Sequence, residues 1–248
     1  MPFLQGLYYE DHGQGDAVLL LPGWAGSITD LDRLRGELAA GFRVIAVDLP
    51  GCGRSQPQPR SYTADFYVDD ARTFLALLDH LGIGSAHLVG FSDGGETALL
   101  MAALAPGRAL SVVTWGVAGQ VVAPAGGFGP LERLLDEPTP LLLPLAAYLA
   151  EAYGPENARA MAKSWAGALR TIVESGGDIS RSQAAGISCP ALLVAGADDP
   201  YCPAQVVREL AEAIPRGRFV EMPAVGHDVH HQAPGVFLPL VLDWLEDH

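Results

Sequence analysis

Residues 90–95 read Gly-Phe-Ser-Asp-Gly-Gly, and the first five fit the pattern G-x-S-x-G. The chemistry this suggests is attack by the Ser92 hydroxyl on an electrophilic carbon. HLVG (87–90) before it has strand character, and GETALLMAALA (95–105) after it has helical character. A sharp strand-to-helix turn holds a serine in a strained, exposed position, and glycines around it leave no Cβ to collide with neighbouring backbone. The free N–H groups of the helix start then point to where an oxyanion forms. The bare pattern fits a plain βα turn equally well; the strand–turn–helix context favours the nucleophile. Asp93 sets a carboxylate directly beside the charge that Ser92 would develop.

A serine nucleophile needs a base. The histidines are His12, His80, His87, His227, His230, His231 and His248. His227 stands in PAVGHDVHH, after the last expected strand and before the last expected helix. Loops at that edge of a parallel sheet carry catalytic groups. His87 leads a buried strand, His80 ends a helix, His12 is expected in a hairpin turn and His248 is terminal. His227, His230 and His231 have a spacing that suits one helical face, but no acidic motif such as H-E-x-x-H accompanies them, so no metal is expected. The base needs an orienting acid. GADDPYCP (196–203) follows the strand-like ALLVA and offers Asp198 and Asp199. Asp199 precedes a proline, which restricts its backbone, although an Asp-Asp-Pro turn by itself is ordinary turn chemistry. For the oxyanion, LLPGW (20–24) ends in a Pro-Gly turn that would aim the Trp24 backbone N–H at the site. The Asp93 backbone N–H would be the second donor, each contributing a few kcal/mol to the transition state. Trp24 as a packing residue is compatible with that role.

These residues need a scaffold. Short apolar runs recur at 17–21, 43–47, 87–90, 111–115, 191–195 and 218–222. Helical spacing lies between them, near 29–40, 64–81, 93–105, 203–214 and 235–246. Such alternation predicts an α/β fold with a mainly parallel sheet covered on both faces. LYYE before DHGQG reads as an antiparallel edge hairpin. The alternation stops over 119–182, where prolines stand at 124, 130, 138, 140, 144 and 155, followed by a helical pattern from Ala158 to Ile172. A mostly helical lid fits this stretch better than a meandering crossover, because structureless loops of that length are uncommon.

Composition narrows the function classes. The chain has 248 residues, 49% hydrophobic and 18% charged, enough for one large α/β domain with a substantial core. Fifteen Lys and Arg against 29 Asp and Glu give a net charge of −14. Nucleic acid is therefore not an expected partner, since phosphate binding needs clustered cations. Three cysteines without a CxxC pair point to a reduced, cytoplasmic compartment without disulfides. No secretory signal is evident at the start. PLLLPLAAYLA (140–150) is broken by Pro144 and too short to span a bilayer, so no membrane is expected.

Ser92, Asp199 and His227, each just beyond a strand, stand in the nucleophile–acid–histidine order of the α/β-hydrolases. The chain resembles that superfamily from about Leu19 to Leu245, through LLPGW, DLPGCGRS (48–55) for D-x-R-G-x-G-x-S, GFSDGG, GADDP and GHDVHH. The departure at Leu49-Pro50 falls in a loop. GFSDGGETALLMAA, VVTWG, AYGPENAR with Trp165, and CPALLVAGADDPYCP resemble the valacyclovir hydrolase-like, or biphenyl hydrolase-like, branch. The resemblance implies an eight-stranded sheet, with 1–118 and 183–248 as core and 119–182 as lid. It implies a cofactor-free serine esterase with Ser92, Asp199 and His227 as its triad. Members of that branch hydrolyse α-amino acid esters, and the aspartate after their nucleophile binds the substrate ammonium. That position is Asp93 here, with Trp24 and Trp165 lining the substrate pocket. Asp93 also suits a helix start on dipole grounds alone. Two other functions stay open: a carbon–carbon bond or lactone hydrolase of the same fold, and a non-catalytic ligand receptor on this scaffold. Ser92 at the turn disfavours a dehalogenase or epoxide hydrolase, which needs a carboxylate there. The small-molecule ester is the expected partner, to a monomer or small homo-oligomer.

Overall fold

The computed structural model describes residues 3–248. Eight strands form one sheet: β1 (Phe3–Leu4), β2 (Leu7–His12), β3 (Ala17–Leu21), β4 (Arg43–Val47), β5 (Ala86–Phe91), β6 (Ala109–Trp115), β7 (Ala191–Gly196) and β8 (Gly217–Met222). Their spatial order is β1-β2-β4-β3-β5-β6-β7-β8. The pairs from β4 to β8 are parallel, and β1–β2 and β2–β4 are antiparallel. Helices α1 (Asp32–Leu38), α2 (Phe66–His80) and α3 (Asp93–Leu104) lie before β6; α7 (Ala204–Ala213), α8 (Val229–Gln232) and α9 (Pro234–Glu246) follow β7. Between β6 and β7 come α4 (Gly129–Glu132), α5 (Leu143–Tyr153) and α6 (Pro155–Glu174).

The central strands are apolar throughout because both faces are covered. In β3, Val18 and Leu20 join Leu34 and Leu38 of α1 and Phe237 and Val241 of α9 in one core. Leu19 and Leu21 join Phe74 and Leu77 of α2, Leu99 of α3 and Leu210 of α7 in the other. The two-residue strand period makes this division. Helix α3 is buried from Asp93 to Ala102, which explains a helix apolar on nearly every side.

Two details differ from the sequence expectation. The edge hairpin turns at Gln5-Gly6, ahead of LYYE, with Leu4 opposite Leu7. Both turn residues have positive φ (49° and 93°), as a two-residue hairpin with the right-handed strand twist requires. DHGQG instead carries the chain past β4 to β3, and His12 ends β2 opposite Val44 rather than sitting in a turn. Pro144 lies in the first turn of α5, where its missing N–H costs nothing, so it starts that helix instead of interrupting an apolar run. No helix among the described residues is long and apolar enough to cross a membrane. The three cysteines are free.

The stems of segment 119–182 are drawn together over α3. The Gly119 carbonyl accepts from the N–H groups of Ile179, Ser180 and Arg181, each at 3.0 Å. Buried Glu96 accepts from the Ala118 and Gly119 N–H groups at 2.9 and 2.7 Å and from the Ser180 hydroxyl at 2.6 Å. Burial pushes its carboxyl pKa up, and the three donors oppose that. Truncation would leave two interior N–H groups without an acceptor, each costing about 1–3 kcal/mol. Glu96→Ala is therefore expected to destabilise the protein by about 2–5 kcal/mol. Thermal and urea unfolding would measure this, and an unchanged midpoint would show that the stems hold without it.

Candidate active site

Ser92 lies between β5 and α3 with φ 51° and ψ −119°, a conformation that non-glycine residues rarely adopt. The turn is held from both sides: the Ser92 N–H donates to the Trp115 carbonyl at 2.9 Å, and the Ser92 carbonyl accepts from Glu96 N–H at 3.0 Å. Close approach makes glycine necessary at 94, where a Cβ would lie 2.3 Å from the Pro22 carbonyl oxygen. The loop after β3 therefore packs directly onto the turn.

Three segments distant in sequence converge at the serine. His227 Nε2 is 3.2 Å from Ser92 Oγ, and His227 Nδ1 is 2.8 Å from Asp199 Oδ2. The other Asp199 oxygen accepts from the N–H groups of Tyr201 and Cys202 at 2.8 and 3.0 Å. Buried Asp199 is thus fixed by its own turn, while neighbouring Asp198 is exposed. The imidazole is flanked by the rings of Phe91 (5.0 Å) and Tyr201 (5.2 Å). A Cβ at Gly116, whose φ is 67°, would meet His227 Cε1 at 2.7 Å, so the strand end leaves room for the ring. Phe91, Gly116 and Tyr201 were not evident from the sequence pattern, since each acts by shape alone.

Two other histidines, both buried, are committed elsewhere. His230 is buried, accepts the Trp115 indole N–H at Nδ1 (3.0 Å), and has its pKa lowered to about 3 by burial, so it is a neutral acceptor. His87 is buried against the Ser111 hydroxyl at 2.9 Å. Among the described residues, the group with donor atoms close enough to suggest a metal is Asp199, Cys202 and His227, within 4.8 Å of one another. Two of these already face each other in the serine line.

The expected oxyanion donors adjoin the serine. Gly26 N–H bonds the Gly23 carbonyl at 2.8 Å, closing a turn in which Trp24 and Ala25 are central and Ala25 has φ 55°. Among the described residues, the backbone N–H groups of Trp24 and Asp93 donate to no protein acceptor. Asp48 of DLPGCGRS secures the end of this loop by accepting the Ile28 N–H at 2.8 Å.

Beside the serine, Asp93 is 7% exposed. Tyr67 donates its hydroxyl to Oδ1 at 2.7 Å, and the Trp165 indole N–H donates to Oδ2 at 3.1 Å. Trp165 stacks on Trp24 at 4.2 Å, so of the two tryptophans named from the sequence one bonds this carboxylate and the other packs on its ring. Burial pushes the Asp93 pKa up to about 6, against the two hydrogen bonds. Tyr67 was missed; its place as a buried tyrosine within Phe66–His80 resembles ordinary core. Each carboxylate oxygen has two acceptor sites, so one per oxygen remains. The arrangement can position a nucleophile, take and return its proton, and hold a cation close by.

Residues 16–234 match the model of the alpha/beta hydrolase fold. The human serine hydrolase BPHL is 32% identical over 97% of this chain and 83% of its own length. A 2-hydroxy-6-oxononadienedioate/2-hydroxy-6-oxononatrienedioate hydrolase from Burkholderia vietnamiensis is 29% identical over 96% of this chain and 90% of its own length. Among solved structures, a thermophilic esterase from Thermogutta terrifontis superposes with a TM-score of 0.75 at 25% identity, covering 97% of this chain and 93% of that one. The chain therefore belongs to the alpha/beta hydrolase fold family, on its biphenyl hydrolase-like branch.

Proposed function

We propose that this protein is a serine esterase that cleaves α-amino acid esters through an acyl-enzyme. The reaction class is supported above all by the continuous line from Ser92 Oγ through His227 to buried Asp199. In this reading His227 takes the Ser92 proton as the oxygen attacks the ester carbonyl. Asp199 holds the ring so that Nε2 faces the serine, and it stabilises the imidazolium. The N–H groups of Trp24 and Asp93 receive the oxyanion. His227 then protonates the leaving alcohol, and water, activated by the same ring, releases the amino acid. Segment 119–182 acts as the lid, contributing Trp165.

The substrate class rests on Asp93. A carboxylate next to a forming oxyanion raises the barrier unless a cation offsets it, and an α-ammonium on the acyl group supplies one. The dienedioate hydrolase relative suggests a carbon–carbon bond hydrolase as the second reading. A dioate brings two negative charges, and Asp93 opposes these.

Three outcomes follow. Ser92→Ala is expected to abolish both ester turnover and labelling by a fluorophosphonate probe; full activity in that variant would exclude the mechanism, while ligand binding without labelling of the wild type would favour a receptor. Asp93→Asn is expected to lower kcat/KM for an amino-acid ester about ten- to a hundredfold more than for its des-amino analogue, as loss of a charge-assisted contact of about 1.5–3 kcal/mol implies. Equal losses on both esters would leave Asp93 only a structural or oxyanion role. The ratio of kcat/KM for the two esters also has a pH signature. Asp93 is charged above about 6 and neutral below, so the ratio should fall as pH drops through that value. It should fall again above about pH 8 as an α-amino group loses its proton. Any pH effect on the steps that the two esters share cancels in the ratio. A ratio flat from pH 5 to 7 would count against ammonium recognition.

A further inference from the structure

The turn that presents the Trp24 N–H has an unusual backbone. Gly26 N–H to Gly23 carbonyl closes a four-residue turn with positive φ at its third residue, the geometry that normally calls for glycine there. Here that residue is Ala25, fully buried, with φ 55°. An alanine in the left-handed region is strained, so surrounding contacts must hold it. Both flanks of the turn are fixed. Pro22 packs on Gly94, and beyond the turn Ser27 N–H donates to Asp30 at 2.8 Å and Ile28 N–H to Asp48 at 2.8 Å.

The Ala25 carbonyl itself is held from across the molecule. Tyr153, the last residue of α5, donates its hydroxyl to that oxygen and accepts the Gly53 N–H at 3.1 Å. Tyr148, just over one turn earlier on the same helix, has its hydroxyl 3.3 Å from the same oxygen and 3.2 Å from Asp30 Oδ2. The single phenolic proton of Tyr148 is thus shared between the carbonyl and Asp30. Burial raises the pKa of both phenols, which keeps them protonated donors. Helix α5 therefore bonds to the one carbonyl whose peptide unit fixes the strained end of the turn.

We infer that Tyr148 and Tyr153 are positioning residues, clamping the Ala25 carbonyl so that the Trp24 N–H is held ready for the oxyanion. Neither tyrosine touches the reacting atoms. Their effect passes through the turn, and it makes the oxyanion site complete only when α5 is seated on the core. This rests on the serine-hydrolase reading above and adds a condition to it: the segment over the site controls turnover as well as substrate fit. Because the oxyanion is common to all esters, the clamp should act alike on substrates with and without an amine.

The test is the Tyr148→Phe/Tyr153→Phe double variant, which keeps both rings and removes only the hydroxyls, with folding checked by circular dichroism. Removal of one oxyanion donor lowers kcat by about 10²–10³, and a displaced donor should cost less. The expected result is a fall in kcat of about tenfold on both an amino-acid ester and its des-amino analogue, with KM changed less than about twofold. Affinity for a boronic acid that forms a tetrahedral adduct should fall by a similar factor. Adding Ala25→Gly to the double variant relieves the left-handed strain and should recover most of the loss. A kcat retained within about twofold overturns the clamp, as does a loss that Ala25→Gly leaves in place, which assigns the tyrosines to packing of α5. A wild type inert to both esters and to a fluorophosphonate overturns the hydrolase reading itself, and the clamp with it.

Discussion

The backbone of Ser92 at φ 51° is the constraint from which the site is built. A serine does not rest there unaided. It is kept there because β5 must reverse into α3 within one residue while the loop after β3 presses on Gly94. Those contacts lie within the region where the two large cores meet the sheet, so the strain is borne by the packing of the domain as a whole. Relaxing the turn would withdraw the hydroxyl from His227 and displace the start of α3, which carries the Asp93 N–H. In the proposed mechanism, nucleophile, base contact and oxyanion donor thus depend on one peptide conformation.

Electrostatics impose the second condition. At an effective dielectric constant of about 20, a carboxylate close to an oxyanion opposes it by a few kcal/mol, about 4 at a separation of about 4 Å. Two hydrogen bonds to Asp93, from Tyr67 and Trp165, soften this without removing the charge. The raised pKa of the carboxyl records what burial costs the anion. A purely structural residue at this place would be better uncharged. The charge makes sense where a cation shares the pocket, and then one residue supplies both a main-chain donor to the oxyanion and a side-chain acceptor to the substrate.

Much of this was legible in the residue order, and the rest was not for identifiable reasons. The central strands were visible because burial on both faces leaves continuous apolar runs such as AVLLL and ALLVA. Ser92, Asp199 and His227 were visible because each sits at a strand end with distinctive turn residues, and the fold brings the three together. The hairpin was misplaced because Gln-Gly is a weaker turn signal than the Gly-Gln-Gly of DHGQG, which serves a longer crossing. The hydrogen bonds of Tyr67, Tyr148 and Tyr153 were not legible, even though Tyr153 stands in AYGPENAR: an amphipathic tyrosine inside a helix has the same local pattern whether its hydroxyl meets water or a distant carboxylate or carbonyl. Contacts of that range follow from how α5 and α2 are seated, which periodicity does not specify.

Glu96 shows why seating matters. It lies one turn beyond Ser92 on α3, and its buried carboxylate binds both stems of segment 119–182. A buried charge is seldom the most stabilising choice for an interior position, but its hydrogen bonds accept only one arrangement of donors. An apolar residue would allow the stems to slide; a carboxylate with three donors sets their register against the helix that begins at Ser92. From the first turn of α3, then, Ser92 meets His227, Asp93 meets Tyr67 and Trp165, and Glu96 binds the stems of the cover above. Trp165, Tyr148 and Tyr153 reach the site from that cover. The position of the cover relative to the serine is thereby set within a single helical turn, and the chemistry and the enclosure of the site share one origin.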